Sequence, residues 1–147
     1  MTLILVRHAS AGDRNLWEGD DSERPLDERG RDQARELVSR LAGHRVDEIL
    51  TSPARRCVET VAPLAAARGL EPQLRPELGE KRQGHDGAAL VRQLAGRDVV
   101  VCGHGGLEHV PLADPIAVRA LDQIEMDVIV VIAVGARPEH RREAVAG

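Results

Sequence analysis

Three separated segments of this 147-residue sequence place arginine or histidine directly after a short apolar run. Arg7 and His8 follow the first run, Arg55 and Arg56 lie just beyond the second, and His104 follows a later one. Such runs predict buried strands, and sites in open α/β sheets form beyond the carboxyl ends of strands. We therefore expect these side chains to converge.

This set of residues suits phosphoryl transfer to an imidazole. A neutral histidine can attack phosphorus, a second histidine can donate to a phosphate oxygen, and arginines can neutralise the transferring group. A helix predicted to begin at Ser52 and Pro53 would add free backbone N–H groups. Each segment alone also fits a core histidine, a solvated helix start or a plain glycine turn, so the prediction depends on all three together.

Other kinds of site match the sequence less well. Neither Cys57 nor Cys102 is followed by arginine at the spacing of a cysteine phosphatase, and we expect both to be small buried residues. No Walker-type loop or dinucleotide fingerprint is present, and His104, Glu108 and His109 match no zinc spacing. We predict no metal and no other cofactor, because arginines and histidines already supply positive charge.

The elements that position these residues alternate between strand and helix, which predicts an α/β domain with a sheet covered on both faces. We predict strands over residues 3–6, 47–51, 72–75, 98–102 and 128–134. Helices are predicted from Asp27 to Gly43, from Ser52 to Gly69 and from Asp86 to Ala95. We also allow a helix over residues 115–121.

Composition favours one domain over residues 1–147, since 42% of the residues are hydrophobic, 30% are charged and no repeat or linker is visible. A net charge of -4 and a single aromatic residue, Trp17, argue against a nucleic-acid or membrane partner. No apolar run has membrane-spanning length, and the amino terminus lacks a signal-peptide pattern. We therefore expect a cytoplasmic protein.

The ordered motifs resemble those of the histidine phosphatase superfamily. Its phosphoglycerate mutase-like members carry Arg-His after the first strand, Ser-Pro-x-x-Arg at a helix start and a second histidine after a later strand. These positions fall on Arg7, His8, Arg56 and His104. The resemblance implies a three-layer α/β/α sandwich with a mostly parallel central sheet.

The tract 21–34, with Arg24-Pro25-Leu26 followed by Gly30, is similar to the small SixA-like branch of phosphohistidine phosphatases. Similar domains follow Nudix hydrolases in some actinobacterial proteins. Gly105 and Gly106 stand where that branch usually has Asn-Pro. In addition, Glu80 fits the place of a general acid that many superfamily members have and SixA-like proteins lack. Glu80 is therefore our candidate acid, and the alternatives are Glu77, Asp86, the weaker candidate Glu108, or no general acid at all.

The resemblance implies a metal-independent phosphatase. His8 would attack phosphorus, and Arg7, Arg56 and His104 would hold the phosphoryl oxygens until water hydrolyses the phosphohistidine. We expect Ser10, or the main chain around Gly12, to help bind phosphate or substrate.

The substrate would be a phosphohistidine-bearing protein or a small phosphoester, and the sequence does not separate the two. A non-catalytic phosphate-binding or interaction module of the same fold is one alternative function. A phosphomutase is another, although the chain has no obvious element that would close over the site and keep water out.

Overall fold

The computed structural model describes residues 2–94, 96–106, 117–124 and 128–134, with the backbone alone for the last two ranges. The described residues form one six-stranded sheet and three α-helices. The strands are β1 Thr2–Arg7, β2 Glu48–Thr51, β3 Gln73–Leu74, β4 Val99–Gly103, β5 Ala117–Ile124 and β6 Val128–Val134. The helices are α1 Glu28–Arg40, α2 Arg55–Arg68 and α3 Ala88–Gln93. Among the described residues, no helix is both long and apolar enough to cross a membrane.

The strand order is β3-β2-β4-β1-β6-β5. Strands β3, β2, β4 and β1 run parallel, whereas β6 runs antiparallel to both β1 and β5. Leu5 of β1 lies opposite Val101 of β4 on one side and Val131 of β6 on the other. The sheet is therefore mostly parallel, as the resemblance implied, and the structure adds that its β6-β5 edge is antiparallel.

Apolar side chains cover both faces of the sheet. Ile4 and Val6 belong to a buried cluster with Leu37 of α1 and Leu64 of α2. Their neighbours in β1, including Leu5, belong to a second cluster that contains residues of α3. Because successive side chains of a strand point to opposite faces, one short strand contributes to two cores. This arrangement confirms the three-layer α/β/α prediction.

Of the first two predicted helices, one begins where expected and the other begins later. Asp27 caps α1 as expected, its carboxylate accepting from the Gly30 N–H at 2.7 Å. Helix α2 begins at Arg55, three residues beyond Ser52, with no side-chain cap at Ala54. The tight turn over Ser52 and Pro53 therefore precedes the helix. Gly69 ends α2 in the left-handed conformation, with φ of 65°.

The helix that the sequence allowed over residues 115–121 is wrong for residues 117–121, the part of that range that the structure describes. Residues 117–124 form strand β5, which pairs with β6, while residues 115 and 116 lie outside the described residues. Pairing with a neighbouring strand overrides the weak local preference of this segment. Helix α3 begins at Ala88, two residues later than predicted, after a π-helical turn over Gln83–Gly87, and the predicted end at Ala95 lies outside the described residues.

Candidate active site

The parallel register places the predicted site residues at one edge of the sheet. Arg7 lies opposite Gly103, and the N–H of His8 donates to the Gly103 carbonyl at 3.0 Å. The Ser52 N–H donates to the Cys102 carbonyl at 2.9 Å. As a result the His8 and His104 rings lie edge to face with their centres 5.5 Å apart.

His8 is held as a neutral imidazole. Its Nδ1 lies 2.8 Å from the Ala9 carbonyl oxygen, which can only accept, so Nδ1 carries the hydrogen and Nε2 has the lone pair. Burial lowers the pKa of His8 to about 4, against the opposing effect of that hydrogen bond. The charges of Arg56, His104 and Arg7 lower the pKa further. At neutral pH this histidine is unprotonated at Nε2, as a nucleophile must be.

His104 is buried and held at both ends of its ring. Nε2 lies 3.0 Å from the Ser52 hydroxyl, and Nδ1 lies 3.4 Å from Nη2 of Arg56. Its backbone N–H donates to the Gln83 side chain at 2.9 Å, and the Gln83 amide donates to the Gly105 carbonyl at 2.8 Å. Sequence reasoning gave no role to Gln83, because no motif or spacing marks it. The sequence pattern predicted Ser52 only as the start of a helix.

Arg56 lies beneath the site with its side chain only 2% exposed. Nη1 donates to the Asp21 backbone carbonyl at 2.8 Å, and Nη2 donates to the Asp21 carboxylate at 3.1 Å. Nη2 also lies 3.4 Å from a carboxylate oxygen of Glu80. The buried Nε has no hydrogen-bond partner among the described residues. A buried donor of this kind is costly until an acceptor such as an anion reaches it.

Two carboxylates share the arginines of the site. Asp21 also accepts from Nε of Arg24 at 3.1 Å and lies 3.6 Å from Nε of Arg14, while Glu80 accepts from Nη2 of Arg14 at 2.6 Å. Burial acts to raise the pKa of Asp21, but Arg24, Arg56 and Arg14 outweigh it and hold it low. Arg14 likewise holds the pKa of Glu80 below its usual value. Sequence reasoning missed Asp21 and Arg14, which the fold brings in from a loop.

These residues surround an open cleft of about 470 Å³. Arg7, His8, Glu80 and His104 all line it, and its floor continues over Ser10 and Gly12. A second hollow of about 450 Å³ reaches Arg56 from another direction and is also lined by Glu80 and His104.

Ser10 and Gly12 line the cleft, but the donors expected to bind phosphate are already used. The Ser10 hydroxyl donates to Asp27 at 2.7 Å and the Gly12 N–H donates to the same carboxylate oxygen at 3.1 Å. The Ser10 N–H donates to Gln33 at 2.9 Å. In the structure, these hydrogen bonds from Ser10 and Gly12 therefore attach the loop after β1 to α1.

The alternative acids lie elsewhere. Glu77 pairs with Arg75 at 3.1 Å and Asp86 pairs with Arg82 at 2.9 Å, and neither lines the two hollows. Glu108 lies outside the described residues. Arg55 pairs with Glu59 on the exposed side of α2. Both cysteines are buried, as predicted.

Comparison with known proteins agrees with this geometry. The family model of the histidine phosphatase superfamily, branch 1, matches residues 3–87, which is more than half of the chain. The chain belongs to this superfamily. The matched segment includes Arg7, His8, Arg56 and Glu80, and the fold adds His104 beside them.

One relative of this chain is the 8-oxo-(d)GTP phosphatase of Mycolicibacterium smegmatis. The two are 37% identical over 109 residues, which cover 71% of this chain and 34% of the relative. The chain therefore spans about a third of the length of that relative.

Solved structures of SixA proteins share the fold. The protein histidine phosphatase SixA, complexed with tungstate, superposes with a TM-score of 0.62 at 26% identity, over 73% of this chain and 71% of that one. The structure assigned as the phosphohistidine phosphatase SixA from Agrobacterium tumefaciens gives 0.61 at 27% identity, over 74% and 72%. The resemblance to the superfamily and its SixA branch is thus confirmed.

Proposed function

We propose that this chain is a metal-independent phosphatase that works through a phosphohistidine at His8. The observation that carries the proposal is the state of His8. Its lone pair is on Nε2, its pKa is about 4, and it lines an arginine-lined cleft beside His104. A neutral imidazole among fixed cations is what attack on a phosphate dianion requires.

The reaction has two displacements at phosphorus. Nε2 of His8 forms a bond to phosphorus while the bond to the leaving oxygen breaks, and that oxygen takes a proton. Water then attacks phosphorus and gives a proton to the Glu80 carboxylate, the P–N bond breaks, and inorganic phosphate leaves. Arg7, Arg56 and His104 bind the equatorial oxygens, where charge is spread in the transition state.

Substrate phosphate replaces carboxylates around Arg56. In the free protein, Asp21 and Glu80 neutralise this guanidinium, and its Nε has no partner among the described residues. A phosphate oxygen satisfies that donor and competes with Glu80 for Nη2. Glu80 loses part of its cationic surroundings, its pKa rises, and it can then deliver a proton to the leaving oxygen.

A small phosphoester is the substrate class that the site supports best. An alkoxide leaving group is strongly basic and needs an acid, and Glu80 is the carboxylate that lines the cleft together with His8 and His104. The curated relative named as a nucleotide phosphatase supports the same class. Phosphohistidine on a protein is the second candidate, favoured by the likeness to the SixA structures.

Trapping of the phosphoenzyme tests the proposal. Brief incubation with a ³²P-labelled phosphoester and acid-free quenching should leave label on His8, stable to base and labile to acid. His8→Ala should lose the label and lower kcat by about a thousandfold or more. His85→Ala is the matched control, because its side chain is 98% exposed.

Each contrary result points to a different function. Label on His104 would reverse the histidine roles. Binding of phosphate without turnover of any phosphoester or phosphohistidine protein would indicate a non-catalytic module. Transfer of the phosphoryl group to a second hydroxyl of the substrate, in place of water, would indicate a mutase.

A further inference from the structure

Trp17 forms a fixed, exposed aromatic platform on the loop after β1. It is the only Phe, Tyr or Trp in the sequence, and the residue is 38% exposed. Its indole N–H donates to the Asp20 backbone carbonyl at 2.9 Å, which fixes one edge of the ring. Leu16 beside it is 81% exposed. The sequence therefore has one aromatic side chain, and it lies at the surface. Such an exposed apolar ring indicates a place where a ligand or partner packs.

The platform lies on a hollow that continues from the reaction cleft. The hollow has a volume of about 260 Å³ and is lined by Leu16, Trp17 and neighbouring residues. It shares Ala11, Gly12 and Arg24 with the cleft that contains His8. Gly12, which lines both hollows, has φ of 68°, and a Cβ built there would meet nothing within 4 Å, so the surface at this residue is unobstructed. A ligand bound at His8 that extended past Gly12 would enter the hollow that Trp17 lines.

The two ends differ in charge. At the reaction end, Arg7, Arg14 and the two histidines line the cleft. At the other end, Asp13 and Asp27 line the hollow beside Trp17, and Arg24 is shared by the two hollows. The carboxylates disfavour further phosphates or acidic side chains near the ring. They suit an uncharged group that carries N–H donors.

We infer that the preferred substrate is a nucleotide, with its base stacked on Trp17 and its terminal phosphate at His8. A nucleobase is flat, uncharged and rich in N–H donors, and it is joined to phosphate through a sugar that can cross Gly12. This inference rests on the proposed function and adds to it the substrate class and Trp17 as the residue that selects it.

The sole tryptophan makes binding directly visible. In the inactive His8→Ala protein, intrinsic fluorescence reports on Trp17 alone, so stacking of dGMP should quench it saturably. Inorganic phosphate and ribose 5-phosphate, which lack a base, should change it little at the same occupancy. Free N-acetyltryptophanamide corrects for absorption by the base. This arm requires no turnover, so it tests the inference apart from the catalytic proposal.

Turnover by the active protein supplies the second arm. Trp17→Ala should raise KM for dGMP by about tenfold with kcat little changed, because stacking acts equally in ground and transition states. The preference for dGMP over ribose 5-phosphate should fall by a similar factor, and Trp17→Phe should restore most of it. Leu74→Ala is the matched control, an exposed apolar residue on β3 that lines neither hollow.

The inference is overturned if dGMP and ribose 5-phosphate are turned over equally well and Trp17→Ala does not change the ratio of their kcat/KM values. The phosphatase proposal would then still hold. Quenching by a phosphohistidine peptide but not by dGMP also overturns it and assigns the platform to a protein substrate. Quenching by dGMP with no turnover of any phosphoester supports the nucleotide site and removes the catalytic proposal.

Discussion

At the scale of single residues, the site holds its arginines in advance of the substrate. Asp21 accepts from Arg56, and Glu80 accepts from both Arg14 and Arg56, so carboxylates keep these cations in place in the free protein. This arrangement lowers the cost of ordering long side chains on binding. It also keeps Glu80 ionised in the free protein, since Arg14 lowers its pKa.

The proposed role of Glu80 predicts a dependence on the leaving group. Glu80→Gln should slow alkyl phosphate hydrolysis by about a hundredfold, aryl phosphate hydrolysis less and phosphohistidine hydrolysis least, because the leaving groups become progressively less basic. The measurement is kcat/KM across the three substrates, with Glu77→Gln as control because Glu77 lies outside the cleft. A uniform small effect would show that Glu80 only positions the arginines.

At the scale of elements, the start of α1 shapes the loop that follows His8. The Asp27 carboxylate caps the helix and accepts from both Ser10 and Gly12. The Asp27 N–H donates to the Ser10 carbonyl at 3.1 Å. Gly30, in the first turn of the helix, lets this carbonyl approach, since a Cβ at Gly30 would lie 1.9 Å from it. The helix and the loop therefore form one unit.

This contact predicts that Gly30→Ala damages both stability and activity. The added methyl group must push the loop away from α1, which should cost about 1–3 kcal/mol of unfolding free energy. It should also lower kcat/KM, because His8 and the cleft floor move with the loop. Urea unfolding and kinetics measure the two effects. Gly43→Ala is the control, since a Cβ there meets nothing within 4 Å, and equal behaviour of the two variants would contradict the argument.

At the scale of the whole molecule, the fold buries a titratable group, the imidazole of His8. His8 lies where β1, β4 and α2 meet, and burial lowers its pKa from 6.5 to about 4. Protons therefore bind the unfolded chain more strongly than the folded one between these values. The sequence predicts a single domain over residues 1–147. In a domain that unfolds as one cooperative unit, this difference in proton binding changes the free energy of unfolding of the whole unit.

The pKa shift predicts how stability changes with pH. The contribution of His8 is fully present above pH 6.5 and is lost as pH falls towards 4, at up to about 1.4 kcal/mol per pH unit. Urea unfolding between pH 7.5 and 4.5 should show this slope in the wild-type protein and a shallower one in His8→Asn. The variant keeps a polar side chain of similar reach. Parallel pH profiles for the two proteins would contradict the shifted pKa of His8.

The sequence by itself determined the features that local pattern encodes. Apolar runs marked β1, β2, β4 and β6, Asp27 and Gly69 marked helix ends, and the residues after the strands marked one edge of the sheet. Parallel strands bring their carboxyl ends to the same edge, so Arg7, His8 and His104 could be predicted to meet before their distances were known. Their catalytic roles stay predictions.

Only the tertiary structure decided what depends on contacts between distant segments. Strand β5 forms because β6 pairs with it, which local preference in that segment does not show. Asp21 and Gln83 reach Arg56 and His104 through loops, with no periodicity or spacing to mark them. The pKa of His8 depends on burial and on cations brought in by the fold. These contacts and their effect on the pKa arise from the packing of distant segments, so they cannot be read from a short stretch of sequence.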